Sequence, residues 1–292
     1  YYNENGNLDK IEKYINGELQ IDSQETKEFE IRYDYYPNGK IKVVGSYFEG
    51  KADGVRRDYN QEGKIEKSYI FRNGKLVAEG IIDEQGKKQG QFIEYYENGI
   101  KMSEGKYSNS IKVGNWAFYY PNGTKEQEGK YDSRGKQNEE WKWFYNNGEV
   151  WKQEYFVNGS REGEYVEYQI DGKVIAKGKY IDNAETDFWF YEIGDTREEG
   201  IYIDGEYNGI WKIIDIESGF KIAEKEYLDG VFNGKQIFYW ENGLKKTEGN
   251  YIMGNREGEW KYYDITGQLV LRVGYKNGKE ISYQRIMLSE FD

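Results

Sequence analysis

The sequence contains no cysteine, no histidine and only two prolines among its 292 residues. Without cysteine the chain forms no disulfide and has no thiolate nucleophile. Without histidine it lacks the general base of Ser-His and Cys-His sites and the commonest zinc ligand. The composition therefore favours a protein that is not an enzyme, and it predicts neither a cofactor nor a metal.

The chain also lacks long apolar runs and an excess of positive charge. No run approaches the roughly 20 apolar residues of a membrane-spanning helix. The 53 Asp and Glu outnumber the 41 Lys and Arg, so the formal net charge is −12. Such acidity argues against nucleic acid, whose phosphates are neutralised by Lys and Arg, and against electrostatic docking on an anionic membrane. It suits a protein partner with a basic surface.

The mean hydropathy of −1.00 would be typical of disorder if aromatic residues were scarce. Aromatic residues instead make up 17% of the chain, and they are periodic. From Gly234 to Gly258, a short aromatic run meets Glu241-Asn242-Gly243, and a second strand-like run follows. Asn-Gly between two such runs predicts a β-hairpin with a tight primed turn, because that turn requires positive φ at both central residues.

The turn glycine of this hairpin recurs along the chain, which indicates an internal repeat. Its positions are Gly39, Gly63, Gly99, Gly123, Gly148, Gly172, Gly194, Gly219, Gly243 and Gly267. Most spacings are 22 to 25 residues, but the gap from Gly63 to Gly99 is 36 and contains an extra half-unit whose strand count stays open. Aromatic residues lie eight positions after the turn glycine and, in nearly every unit, four positions before it. We expect both rows to form the core.

The repeat predicts an all-β fold, an elongated, twisted, single-layer antiparallel sheet of stacked β-hairpins with a solenoid-like character. We expect three regions: an irregular N-terminal unit and loop over 1–32, an array of about ten 24-residue units over 33–279, and a cap or tail over 280–292. The sequence begins at Tyr1 rather than Met, so we expect the native N-terminus, with any targeting segment, to precede it.

The strand and turn pattern Gly-x-Trp-x-x-Tyr-Tyr-x-Asn-Gly-Lys, followed by Glu-Gly-x-Tyr, resembles the MORN repeat, in particular its bacterial variant. The resemblance is carried by 114–131, 258–278 and 90–107, and it covers roughly 33 to 279. It implies a scaffold that binds partners rather than a reaction. In bacteria it also implies an envelope or secreted location, or a role like that of an antitoxin component.

Candidate binding residues follow from strand alternation, because adjacent side chains in a strand cannot share one face. Runs of consecutive aromatics must therefore place some rings on the second face of the sheet. Tyr120, Trp143, Trp189 and Phe238 are predicted to lie there, where several exposed rings would form a binding surface. The sequence leaves three occupants open: a protein partner, a second copy of the chain through self-association, or a carbohydrate stacked on the rings.

Overall fold

The computed structural model describes residues 29–286 in full and the backbone of four short strands before them. The chain divides into two compact units, Tyr1–Glu149 and Val150–Asp292. Every described element is a β-strand, and no described helix is long and apolar enough to cross a membrane. The prediction of an all-β fold of consecutive hairpins is confirmed.

In the first unit, two small antiparallel pairs, β1 with β4 and β2 with β3, precede a sheet in which each strand from β5 to β14 pairs with the next. Its strands are β1 Lys10–Ile11, β2 Tyr14–Ile15, β3 Glu18–Leu19, β4 Lys27–Glu28, β5 Glu30–Tyr35, β6 Ile41–Phe48, β7 Lys51–Tyr59, β8 Ile65–Arg72, β9 Lys75–Ile82, β10 Lys88–Tyr95, β11 Lys101–Ser108, β12 Ile111–Tyr119, β13 Lys125–Tyr131 and β14 Gln137–Phe144. Of the predicted N-terminal loop, residues 20–26 lie outside the described residues, as do residues 1–9.

In the second unit each strand from β15 to β26 pairs antiparallel with the next. These strands are β15 Val150–Val157, β16 Ser160–Tyr168, β17 Val174–Ile181, β18 Ala184–Ile193, β19 Thr196–Ile203, β20 Glu206–Asp215, β21 Lys221–Leu228, β22 Val231–Tyr239, β23 Lys245–Ile252, β24 Asn255–Tyr263, β25 Leu269–Lys276 and β26 Lys279–Arg285. The segment predicted as a cap or tail, 280–292, thus contains all of β26 except its first residue, and its last residues, 287–292, lie outside the described residues.

Two kinds of turn alternate in most of the chain, and the primed turn is not where the sequence predicted it. At Gly243 only the glycine has positive φ (80°), and its amide donates to the carbonyl of Trp240 at 2.8 Å, as in a type I turn followed by a bulge. The two-residue turns at the opposite ends of the strands have positive φ at both positions, as at Asn73 (50°) and Gly74 (81°). The glycine pattern therefore located the hairpins correctly but assigned the wrong turn type.

A glycine, a bulge and an indole on two neighbouring strands form the core of the regular repeat. Gly258 (φ 72°) causes a register shift two residues before Trp260, and the shift frees the carbonyl of Asn250. The Trp260 Nε1 donates to that carbonyl at 3.2 Å, while its ring contacts Tyr251 edge-to-face at 5.4 Å. The same indole hydrogen bond recurs at Trp116, Trp141, Trp189 and Trp211. The bulge residue is glycine before Trp116 and Trp211, whereas Glu139 and Asp187 take the same positive φ before Trp141 and Trp189.

We call the side of each sheet that carries these indoles the indole face. The aromatics eight positions after the turn glycine lie there in the regular repeats, as the buried Tyr107, Tyr180 and Tyr202 show, so that part of the core prediction is confirmed. In the same regular repeats, the aromatics four positions before the glycine lie on the opposite face and outside this core. There the hydroxyl of Tyr239 donates to Glu224 at 3.0 Å and that of Tyr263 donates to Glu248 at 2.7 Å.

The extra half-unit in the first unit is a single added strand, since three strands, β8 to β10, separate Gly63 from Gly99. The addition moves the repeat to the other face. Val55 and Ile70 pack against the cluster that contains Trp116, so their neighbours Arg56 and Phe71, which occupy the indole and tyrosine positions of their unit, point the opposite way. One added strand reverses the direction in which all later strands run. Because the repeat unit has a fixed handedness, reversing its strand direction places its equivalent side chains on the opposite face of the sheet.

Candidate functional site

The four predicted site residues do not form one exposed surface. Trp189 is fully buried, because its ring lies among Tyr165, Tyr180 and Tyr202 on the indole face, and its predicted place on the second face is wrong. Trp143 is half-buried on the same face as Trp141, with ring centroids 6.0 Å apart.

Phe238 is also half-buried and lies two residues after the buried Gln236, so it shares the indole face. Tyr120 lies in a turn, and its hydroxyl donates to the carbonyl of Phe144 at 2.8 Å. It thereby joins two successive turns on the same edge. The structure gives all four residues contacts within the repeat and does not bring them together.

A different set of side chains forms an exposed apolar surface on the second unit. Phe188, Ile201 and Ile210 are 51%, 48% and 56% exposed. Each lies next in sequence to a buried indole or to the glycine beneath one, so strand alternation turns it to the face opposite the indoles. Phe188 pairs directly with Ile201 across β18 and β19, and Ile210 follows on β20. We call these three residues the apolar stretch.

The apolar stretch has apolar side chains at repeat positions that are polar elsewhere in the chain. In the other units the residue before the indole and the residue after the glycine are polar, as in Asn115, Glu140 and Glu259 before the indole and Lys106, Lys130, Lys179 and Asn250 after the glycine. A solvated sheet face needs such residues. Three large apolar side chains in a row at these positions are therefore not required by the fold, and they form a contiguous patch of the kind that marks interaction sites.

Charged groups of both signs border the apolar stretch. Lys179 lies 3.6 Å from Asp187 at one side. Arg197 stacks over Phe190 at 3.8 Å and donates to Glu199 at 3.0 Å. Such a border of exposed and half-buried charges around an apolar centre is typical of the rim of a protein interface.

Two tyrosines of the indole face, Tyr191 and Tyr202, lie beneath the apolar stretch. Burial, together with the hydrogen bond to Tyr207, raises the pKa of Tyr202. Burial likewise raises the pKa of Tyr191. In the described part of the chain no group of three or more acidic, histidine or cysteine side chains is arranged to hold a metal ion. The arrangement can bind a surface, and its signal in the sequence was the local loss of polar residues from the repeat.

Comparisons with known proteins identify the repeat. The model of the MORN repeat variant matches five places in the chain, at 31–48, 88–109, 112–133, 140–158 and 256–277. No curated protein matches the chain.

Among solved structures, the chain is similar to a Photorhabdus luminescens Tc holotoxin pore with the TccC3-D651A mutation, at 10% identity and a TM-score of 0.20, over 84% of this chain and 15% of the other. It is similar to a TcdB2-TccC3-Cdc42 structure at 11% identity and a TM-score of 0.21, over 96% and 17% of the two chains. The chain thus spans less than a fifth of the length of either, and TM-scores this low support no argument. The matched family model, at five places spread along the described hairpins, shows that the chain contains MORN repeats of this variant.

Proposed function

We propose that this protein is a non-enzymatic scaffold that binds a protein partner through the apolar stretch of its second unit. MORN repeats generally form scaffolds that bind proteins or membranes. The observation that carries the proposal is the row Phe188, Ile201 and Ile210, which replaces polar residues of the repeat with exposed apolar ones. The net charge of −12 favours a basic protein over an anionic membrane or nucleic acid.

The strands themselves supply the rigidity that such a surface needs. Each residue of the stretch is anchored by a buried neighbour on the indole face, Trp189, Tyr202 or Trp211. Little conformational entropy is therefore lost when a partner covers it, because the backbone is already fixed by pairing on both sides. A partner that presents apolar side chains ringed by charge would match the centre and the rim.

The test compares capture by the native protein with capture by Ile201→Lys, using lysate and envelope fractions of the source organism. Asn250→Lys is the matched control, because Asn250 occupies the same repeat position as Ile201 in another unit. A protein retained by the native chain and by the control but lost with Ile201→Lys supports the proposal. A partner retained by all three chains would overturn the assigned surface, and recovery of no protein by the native chain would overturn the scaffold role.

The family resemblance suggests an antitoxin role and an envelope or secreted location, and the same capture experiment tests both. Capture of a small toxin-like protein would support the antitoxin role, and recovery from the envelope fraction would support the envelope or secreted location. Retention of glycans without any protein would favour the carbohydrate alternative. Quenching of tryptophan fluorescence by soluble glycans measures that outcome directly.

A further inference from the structure

Two grooves adjoin along one edge of the second unit, where its longer turns lie. One encloses about 690 Å³ and the other about 540 Å³. They meet at Asp215, which lines both. Both lie at an edge, away from the apolar stretch, and none of Phe188, Ile201 and Ile210 lines them.

The larger groove exists because one turn is longer than its neighbours. The amide of Asp215 donates to the carbonyl of Phe220, five residues on, at 2.9 Å, whereas that of Trp240 donates to Leu244, four residues on, at 2.8 Å. The added residue leaves Phe220 50% exposed beside Ile265, which is 53% exposed.

The wall of the larger groove is a fixed aromatic platform. The Nε1 of Trp240 donates to the carbonyl of Tyr263 at 3.2 Å, and the ammonium of Lys246 lies 4.5 Å from the centre of the Trp240 ring. The side of the groove is therefore an aromatic surface that already accommodates a cation.

The charge along the grooves is negative. Five carboxylates line them, from Glu192, Asp195, Asp215, Glu217 and Glu241, against three lysines, Lys173, Lys221 and Lys246. Two of the lysines are already paired with carboxylates, Lys173 with Glu192 at 2.6 Å and Lys221 with Glu224 at 2.7 Å. Glu217 and Glu241 are exposed in their turns. The grooves are therefore complementary to a positively charged occupant.

The spacing of the turns selects the conformation of that occupant. Turns on one edge of an antiparallel hairpin array recur every second strand, or about every 9.6 Å. A polyproline II helix repeats every three residues, or about every 9.3 Å. The edge from the turn after β16 to the turn after β24 covers eight strand spacings, about 38 Å, which matches about 12 residues of polyproline II at about 37 Å.

We propose that these grooves bind a basic, proline-rich segment of a partner protein in the polyproline II conformation. Apolar side chains occupy the slots beside Phe220, Ile265 and Ile216, and cationic side chains meet the turn carboxylates. Aromatic-lined grooves bind such segments because the ligand is ordered before it binds. The proposal concerns a surface separate from the apolar stretch and does not depend on it.

The test measures fluorescence polarisation of a labelled twelve-residue peptide, (Pro-Pro-Arg)₄, at physiological salt. The expected result is at least tenfold tighter binding than that of (Gly-Gly-Arg)₄, which has the same charge but no polyproline II preference. The double variant Glu217→Gln/Glu241→Gln and the variant Phe220→Ala should each weaken binding by about tenfold. All three positions are exposed, so thermal unfolding should show that the variants remain folded.

Ile201→Lys separates this proposal from the one above. It should leave peptide binding unchanged while it abolishes capture at the apolar stretch. If the proline and glycine peptides bound equally tightly, charge attraction alone would explain the binding, and the proposal would be overturned. Undiminished binding by Phe220→Ala would overturn it as well, because the apolar slot would then have no part in recognition.

Discussion

The indole of Trp260 fills the space that a side chain on Gly249 would occupy. A Cβ built on Gly249 overlaps Cδ2, Cε2 and Cγ of that ring. The same overlap occurs at Gly105, Gly129, Gly178 and Gly200, each with the indole of the following strand. Glycine is needed at this repeat position because an indole lies directly above it. These glycines do not have positive φ, so their backbone conformation alone does not require glycine.

We therefore expect Gly249→Ala to reduce the free energy of unfolding by about 3 kcal/mol, the upper end of the cost of an overpacked core. The ring cannot move away without breaking its hydrogen bond to Asn250. Gly45→Ala is the matched control, since Gly45 holds the same repeat position and its added Cβ has no neighbour closer than 3.4 Å. Denaturation followed by tryptophan fluorescence measures both, and equal costs at the two positions would contradict the account.

Trp260→Ala should cost about 3 to 5 kcal/mol, as large aromatic truncations in a core do. The more specific expectation is for the pair. Once the indole is gone, Gly249→Ala should cost less than about 1 kcal/mol, so the double-mutant cycle should show strong coupling between the two sites. Additive losses would mean that the glycine serves a purpose other than receiving the ring.

Asp187→Gly should stabilise the protein by about 0.5 to 1 kcal/mol, because Asp187 has φ of 61° at a bulge position that glycine occupies before Trp116, Trp211 and Trp260. The ion pair lost with it, to Lys179 at 3.6 Å, is exposed at both ends and contributes little. The reverse change at the equivalent bulge, Gly258→Asp, should destabilise by a similar amount. Thermal unfolding of the two variants checks the sign, which must be opposite.

The stability of the second unit should fall with acid through Glu248. Partial burial acts to raise the pKa of this carboxyl, but hydrogen bonds from Lys245, Tyr263 and Lys235 outweigh it and lower the pKa from 4.5 to about 2. A carboxyl with a lowered folded pKa contributes stability that is complete above pH 4.5 and is lost as pH falls toward 2.

Glu248→Gln should therefore be less stable than the native protein at pH 6, and the gap should close between pH 4.5 and 2. Substitution of the exposed Glu241 by Gln serves as the control and should change the stability little at any pH. Urea midpoints measured across this range give the comparison. A gap that stays constant with pH would show that Glu248 contributes through packing and not through its charge.

Period and hairpin order could be predicted from the sequence because turn glycines repeat and aromatics follow them at fixed distances. Which face each aromatic uses could not be predicted from regularity alone. Tyr263 and Trp260 both recur once per unit, but they are three residues apart on one strand and therefore lie on opposite faces. The acidic partner of Tyr263, Glu248, carried the missing signal, since a carboxylate opposite a tyrosine hydroxyl indicates a polar face.

The candidate site was beyond prediction for a related reason. Trp189 was predicted to be exposed because it lies in a run of four aromatics, but it is buried. Its position depends on the bulge at Asp187, and the effect of that bulge on strand register cannot be read from one sequence. Phe188, the preceding residue, is the aromatic of this run whose ring is exposed on the opposite face. The useful signal was the comparison of one unit with the others, position by position, which shows where apolar residues replace polar ones.

The turn glycines have a consequence for how the molecule ages. An Asn-Gly pair is the dipeptide most prone to deamidation, which begins when the glycine amide nitrogen attacks the asparagine side chain. In the turns the amides of Gly99, Gly123 and Gly243 donate to the carbonyls of Tyr96, Tyr120 and Trp240 at 2.8 to 2.9 Å, which fixes the backbone around the attacking nitrogen. The folded turns therefore slow deamidation, and isoaspartate should form faster at these asparagines whenever a hairpin opens.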